Sequence, residues 1–202
     1  VHGHLAFLEI FLPEVDDDLG IYVARRVFDE YLSGSGLSEG EDAAARRADC
    51  DFARKDYKTA VAEYEKALKR FPYKDKDNLY PNYRAGIAYG LLGDTDGKIS
   101  LLSRALKAKP STEYYPEAMF ELGRAYVSAG RNDEAVVTFD KLRSSTGDKT
   151  IVARSLIELG MISRNMSEYD KSLDYYKQVI SEMPGTEYAQ DALLAIESIY
   201  QS

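Results

Sequence analysis

A chain of 202 residues that is 45 % apolar and 30 % charged has the composition of a soluble folded protein, and no run in it approaches the ~18 apolar residues of a membrane span. The formal charge of −8 is uneven: residues 1–40 hold eight acidic and two basic side chains, which leaves −2 for the remainder and no basic footprint for nucleic acid. The single Cys50 excludes an intramolecular disulfide, is expected as a buried small hydrophobe, and suits either cytoplasm or periplasm.

The chain begins with Val1 rather than Met, as expected of a fragment or processed product. Residues 1–40 are the least legible part. The apolar run Leu5–Leu12 ends at Pro13 and reads as a strand or the buried face of a short helix. Ile21, Ala24, Val27, Phe28, Tyr31 and Leu32 then fall at helical spacing, as in the second helix of a degenerate repeat. The segment 33–40 (SGSGLSEG) reads as a flexible connector.

From Asp42 the apolar periodicity predicts helices in pairs: 42–53 with 57–71, 79–92 with 96–108, 115–129 with 132–144, and 151–164 with 168–182. A last helix, Glu187–Tyr200, stands without a partner. The pairs are self-similar. Gly86, Gly123 and Gly160 recur every 37 residues. Four residues before each come Asn82, Met119 and Leu156; three after come Tyr89, Tyr126 and Ser163; Leu102, Phe139 and Tyr176 follow on the second helix. An earlier copy carries Ala48, Ala60, Tyr64, Ala67 and Pro72 in the matching places. The three glycines are expected to let paired helices approach closely, so that Gly123→Leu would overpack. Gly93 and Gly130 are placed at turns needing a positive φ, with Asp94 and Asn132–Asp133 as caps of the following helices. Pro72, Pro110 and Pro184 are expected to stop second helices.

Small and large residues recurring in phase over four copies resemble the tetratricopeptide repeat, a helix–turn–helix unit. The resemblance covers roughly 41–202, in units of about 41–74, 79–112, 116–149 and 153–186 plus the helix 187–200; residues 1–40 stand outside it. It implies an all-α, right-handed superhelical solenoid of antiparallel helix pairs. Departures are the absence of Trp, Lys98 and Ser172 where a packed Ala is usual, and Gly147 in place of a closing proline. The joints KPSTEYYPEAMFELGRAY and MPGTEYAQDALLAIESIY, with the 37-residue spacing, further resemble the repeats of bacterial cell-envelope proteins such as the Tol–Pal system coordinator and the outer-membrane assembly lipoprotein. That implies a periplasmic or envelope location, with cytoplasm the alternative.

Chemistry-bearing patterns are sparse. His2 and His4 lack further ligands nearby in sequence for a zinc site, and 93–98 (GDTDGK) lacks the terminal Glu of a calcium loop and the glycine spacing of a phosphate loop. No nucleophile–base arrangement is visible, so neither an enzyme nor a cofactor nor a metal is expected.

In the resembled family the first helices of each pair, helices A, line a concave groove that holds peptides or partner helices. The register places Tyr80, Tyr83, Ile87 and Leu91 on that face, then Phe120, Arg124, Val127 and Ser128, then Arg154, Ile157, Met161, Arg164 and Asn165. Tyr and Arg commonly anchor interfaces; groove-wall residues without a ligand are the competing reading. The set of Lys and Asn that clamps a chaperone tail is missing, since Ala45, Asp49, Tyr83, Ile87, Phe120 and Arg124 stand in those places. The expected function is a non-catalytic scaffold that binds a protein or peptide partner in this groove. A structural piece of a longer or self-associating array is the alternative.

Overall fold

The computed structural model describes residues 18–34, 40–70, 79–107 and 114–201. The expectations for Leu5–Leu12, Pro13, His2, His4, Pro72 and Pro110, and for most of the connector at 33–40, fall outside them. All regular structure among the described residues is helical. In chain order the helices are α1 (Asp18–Gly34), α2 (Gly40–Ala53), α3 (Tyr57–Arg70), α4 (Leu79–Leu91), α5 (Thr95–Ala105), α6 (Tyr115–Ser128), α7 (Asn132–Ser145), α8 (Lys149–Asn165), α9 (Tyr169–Glu182) and α10 (Glu187–Tyr200). None is long and apolar enough to cross a membrane. The chain divides into two compact units, Val1–Thr112 and Glu113–Ser202.

In the first unit consecutive helices α1 to α5 pack on one another. Ile21, Ala24, Phe28 and Leu32 of α1 bury against Ala43, Ala44 and Cys50 of α2 and Ala67 of α3. Charge fastens the same pair, through Arg25 to Asp51 and Arg47 to Asp29 at 3.1 Å. A second cluster joins Ala48, Ala60, Tyr64, Ala85 and Leu101. Small residues on helix A against large ones on helix B make these packings. Each fully buried Tyr, Phe or Leu contributes about 1.5–3 kcal/mol.

In the second unit α6 to α10 pack consecutively, and the helices A (α6, α8, α10) also touch alternate neighbours. The expected role of the recurring glycine is observed directly. A Cβ on Gly123 would lie 2.6 Å from Cζ of Phe139, and one on Gly160 would lie 2.7 Å from the Tyr176 ring; in the first unit Gly86 faces Leu102 at 3.0 Å. The rings of Phe139 and Tyr176 are buried in these sockets. On α10 the equivalent position is Glu197, 37 residues after Gly160, so the socket is absent there.

One turn closes four helix pairs. Lys55, Gly93, Gly130 and Ser167 all have positive φ, between 61° and 81°. In each case its N–H donates to the carbonyl three residues back, and the next N–H donates five back, as in Gly130 to Val127 and Arg131 to Tyr126. This is the Schellman closure, which satisfies the orphan carbonyls of helix A. It accounts for one correction. Asn132–Asp133 do not cap α7, because the closure at Gly130 puts Arg131 at the N-cap, without a side-chain cap bond. Asp94 caps α5 as expected, accepting from Gly97 N–H at 2.8 Å.

The two departures from small residues are accommodated. Ser172 is buried and donates its hydroxyl to the Gly160 carbonyl at 2.7 Å. Lys98 lays its methylene stem against the backbone at Gly90.

Candidate functional site

The expected binding residues lie on helices A and are described unit by unit. In the first unit the face shared by α2 and α4 is built around a buried carboxylate. Asp49 accepts from the hydroxyls of Tyr64 and of Tyr80 (2.6 Å) and from Nε of Arg84 (3.1 Å). The Arg46 guanidinium donates to the Tyr80 hydroxyl at 3.0 Å and lies over that ring at 4.6 Å, while Arg84 lies over Phe52 at 4.0 Å. Burial, and after it the Asp49 charge, push the Tyr64 and Tyr80 phenols well above their ordinary range, so both remain donors. A carboxylate desolvated this far survives only with such a set of donors. Tyr80 is therefore engaged within the chain. Tyr83 and Ile87 are half-buried, and Leu91 is exposed, on successive turns of α4.

In the second unit the face of α6, α8 and α10 alternates charge and apolar surface. Phe120 is buried, packs edge-on against Phe139 at 5.6 Å between ring centroids, and is roofed by the Arg154 guanidinium at 3.9 Å. Arg154 also holds Glu117 through two 3.2 Å hydrogen bonds. Phe120 and Arg154 are thus engaged within the chain. Arg124 is exposed, with Glu158 at 3.7 Å and Glu121 at 3.8 Å. Burial raises the Glu158 carboxyl above its usual range, against the opposing pull of Arg124 and Arg154. Ile157 is half-buried, Met161 is 49 % exposed, and Arg164 donates to Ser198 of α10 at 3.0 Å.

Sequence reasoning placed these residues on helices A but did not find the Asp49 cluster. Its only sequence signal is an acidic residue among the buried positions of α2. Cys50 is buried and its thiol is pushed up to about 12, chiefly by burial, which makes it inert. Among the described residues no group of three or more His, Cys, Asp or Glu could hold a metal ion.

Residues 42–72 and 117–145 match one tetratricopeptide-repeat profile, and residues 153–184 match a second. Those three segments are tetratricopeptide repeats. No curated protein sequence matches the chain. Solved structures share the fold. MamA is 23 % identical with a TM-score of 0.63, over 76 % of this chain and 82 % of that one. YrrB, described as a TPR protein with an unusual peptide-binding site, is 21 % identical with a TM-score of 0.68, over 90 % and 88 %. BtubC from P. vanneervenii is 11 % identical with a TM-score of 0.73, over 94 % and 83 %. At these identities the likeness concerns fold alone. It lends no support to the narrower resemblance to Tol–Pal or outer-membrane assembly repeats.

Proposed function

We propose that this chain is a non-catalytic scaffold that binds a peptide or helix of a partner protein on the helix-A faces of its tetratricopeptide repeats. The observation that carries the reading is the half-open apolar surface there, with Met161 about half exposed beside Ile157 on α8. Repeat scaffolds recognise amphipathic segments by such rows of anchors. In the second unit the contacts assigned to a partner are Arg124, Ile157, Met161 and Arg164, with Phe120 and Arg154 behind them; in the first they are Tyr83 and Ile87, with Tyr80 behind them. YrrB, which has the same fold and a peptide-binding site, supports the reading by analogy. The two matching joint sequences favour a bacterial envelope setting, which fractionation of the full-length protein tests.

In-cell photo-crosslinking tests the binding itself, with the probe at Met161 or Tyr83 and a control probe at Asp133 on a helix B. A discrete adduct from the first two sites and none from the third is expected. Equal labelling from all three would end the reading.

A second reading, self-association or membership of a longer array, is favoured by α10. It exposes Leu193 (54 %) and Tyr200 (72 %). Light scattering over a concentration series tests it, and a monomer at every concentration would count against self-association.

A further inference from the structure

We propose that the face of α6, α8 and α10 takes an acidic, amphipathic segment of the partner, and that one of its Asp or Glu side chains is bound by Arg164, with Ser198 holding the guanidinium in place. This assignment rests on the docking reading above. Three arginines lie on the face and differ in what they already hold. Arg154 spends two N–H groups on Glu117. Arg124 sits between Glu121 and Glu158. Arg164 forms no ion pair among the described residues, and its hydrogen bond goes to the Ser198 hydroxyl. A guanidinium offers five N–H donors in a planar fork suited to a carboxylate, so most of that capacity is unspent on carboxylates here.

The surroundings specify the rest of the ligand. Ile157, Met161 and Arg164 stand at i, i+4 and i+7, one row along α8. Leu194 and Ser198 are the same two repeat positions as Ile157 and Met161, 37 residues on. The Arg164–Ser198 bond shows that the two helices meet along this face. An apolar strip of Ile157, Met161 and Leu194 therefore ends at a cation, and its complement is a segment with apolar residues followed by a carboxylate. A bland role exists for Arg164, since a cation in the last turn of α8 is favoured by the helix dipole. That role fixes the side chain near the C-terminal turn but leaves the fork available.

The test begins with random twelve-residue peptides displayed on phage, fused at their C-termini so that only side-chain carboxylates are offered, and selected on the whole chain. Enriched peptides and their Glu→Gln or Asp→Asn versions are then titrated by fluorescence polarisation against the native chain, Arg164→Gln, Arg164→Lys, and Met161→Ser with Leu194→Ser. The expected result is enrichment of an acidic residue beside apolar ones. Arg164→Gln should weaken the acidic peptide by about 10- to 100-fold yet barely affect its neutral version, with partial recovery in Arg164→Lys. Unchanged far-ultraviolet circular dichroism should accompany each variant. Peptides that lose affinity with the double Ser variant but ignore both Arg164 and the acid would overturn the Arg164 assignment and leave the docking reading intact. Failure to enrich any peptide, or binding indifferent to the double Ser variant, would remove the docking reading of this face and the assignment with it.

Discussion

Replacing Gly123 by Ala should destabilise the chain, although Ala is the better helix former. A Cβ at this position would meet three atoms of the Phe139 ring, at 2.6, 2.7 and 2.9 Å. Comfortable carbon–carbon contact is about 3.5–4.0 Å, so the ring would have to retreat by roughly 1 Å. It has nowhere to go: Phe139 is fully buried against Phe120, which Arg154 roofs. Overpacking of this kind costs about 2–3 kcal/mol, and the gain in helix propensity of about 1 kcal/mol offsets only part of it. The net loss should be about 1–2 kcal/mol. Gly90→Ala supplies the opposite case, because its Cβ would meet only the long side chain of Lys98, Cδ at 2.7 Å with Cε and Nζ at 3.5 Å, and not a packed ring. That variant should gain about 0.5–1 kcal/mol. Urea denaturation followed at 222 nm measures both, as shifts of midpoint in opposite directions. Phe139→Leu should make Gly123→Ala less costly, a coupling readable from the double-mutant cycle. If Gly123→Ala raised the midpoint as Gly90→Ala does, the socket account of the recurring glycine would be wrong.

Lys55→Gly and Ser167→Gly should each stabilise by about 0.5–1 kcal/mol, because non-glycine side chains there hold positive φ at 61° and 63°; thermal melts check this. Asp49→Ala should cost about 3–5 kcal/mol, since Arg84 loses its carboxylate and the Tyr64 and Tyr80 hydroxyls lose their acceptor, and denaturant titration would show it. Cys50 should resist a thiol reagent in the native state and react as its unit unfolds. Its raised thiol pKa also fixes a sign: the native state keeps the proton longer than the unfolded chain. Its contribution is therefore fully present below the ordinary thiol pKa and is lost as pH rises towards about 12. Cys50→Ala should flatten that alkaline decline.

The helix pairs were legible because 3.6-residue periodicity and the recurring glycines are local, repeated signals; α10 runs Glu187–Tyr200 as read. Helix ends shifted by up to one residue at the backbone closures, and by three at the end of α5, which stops at Ala105 where 108 was expected. Lys55 and Ser167 adopt the left-handed turn without a glycine to announce it. The faces were less legible. Periodicity puts Phe120 and Met161 on helices A alike, but the first is buried against Phe139 and under Arg154, which Glu117 holds across the repeat, while the second stays half exposed. The Asp49 cluster draws on Tyr64, Tyr80 and Arg84 from 15 to 35 residues away, beyond any local pattern.

The repeated turn has a further consequence. Because the same two main-chain bonds join helix A to helix B in four places, the joint itself is made by the backbone, with glycine at two of the four and Lys55 and Ser167 at the others. Within the stack each pair is therefore a bracket with a main-chain joint. Its exterior can be rewritten for a new ligand without retuning the joint, whereas inserting one residue at the joint would break both bonds and splay the pair.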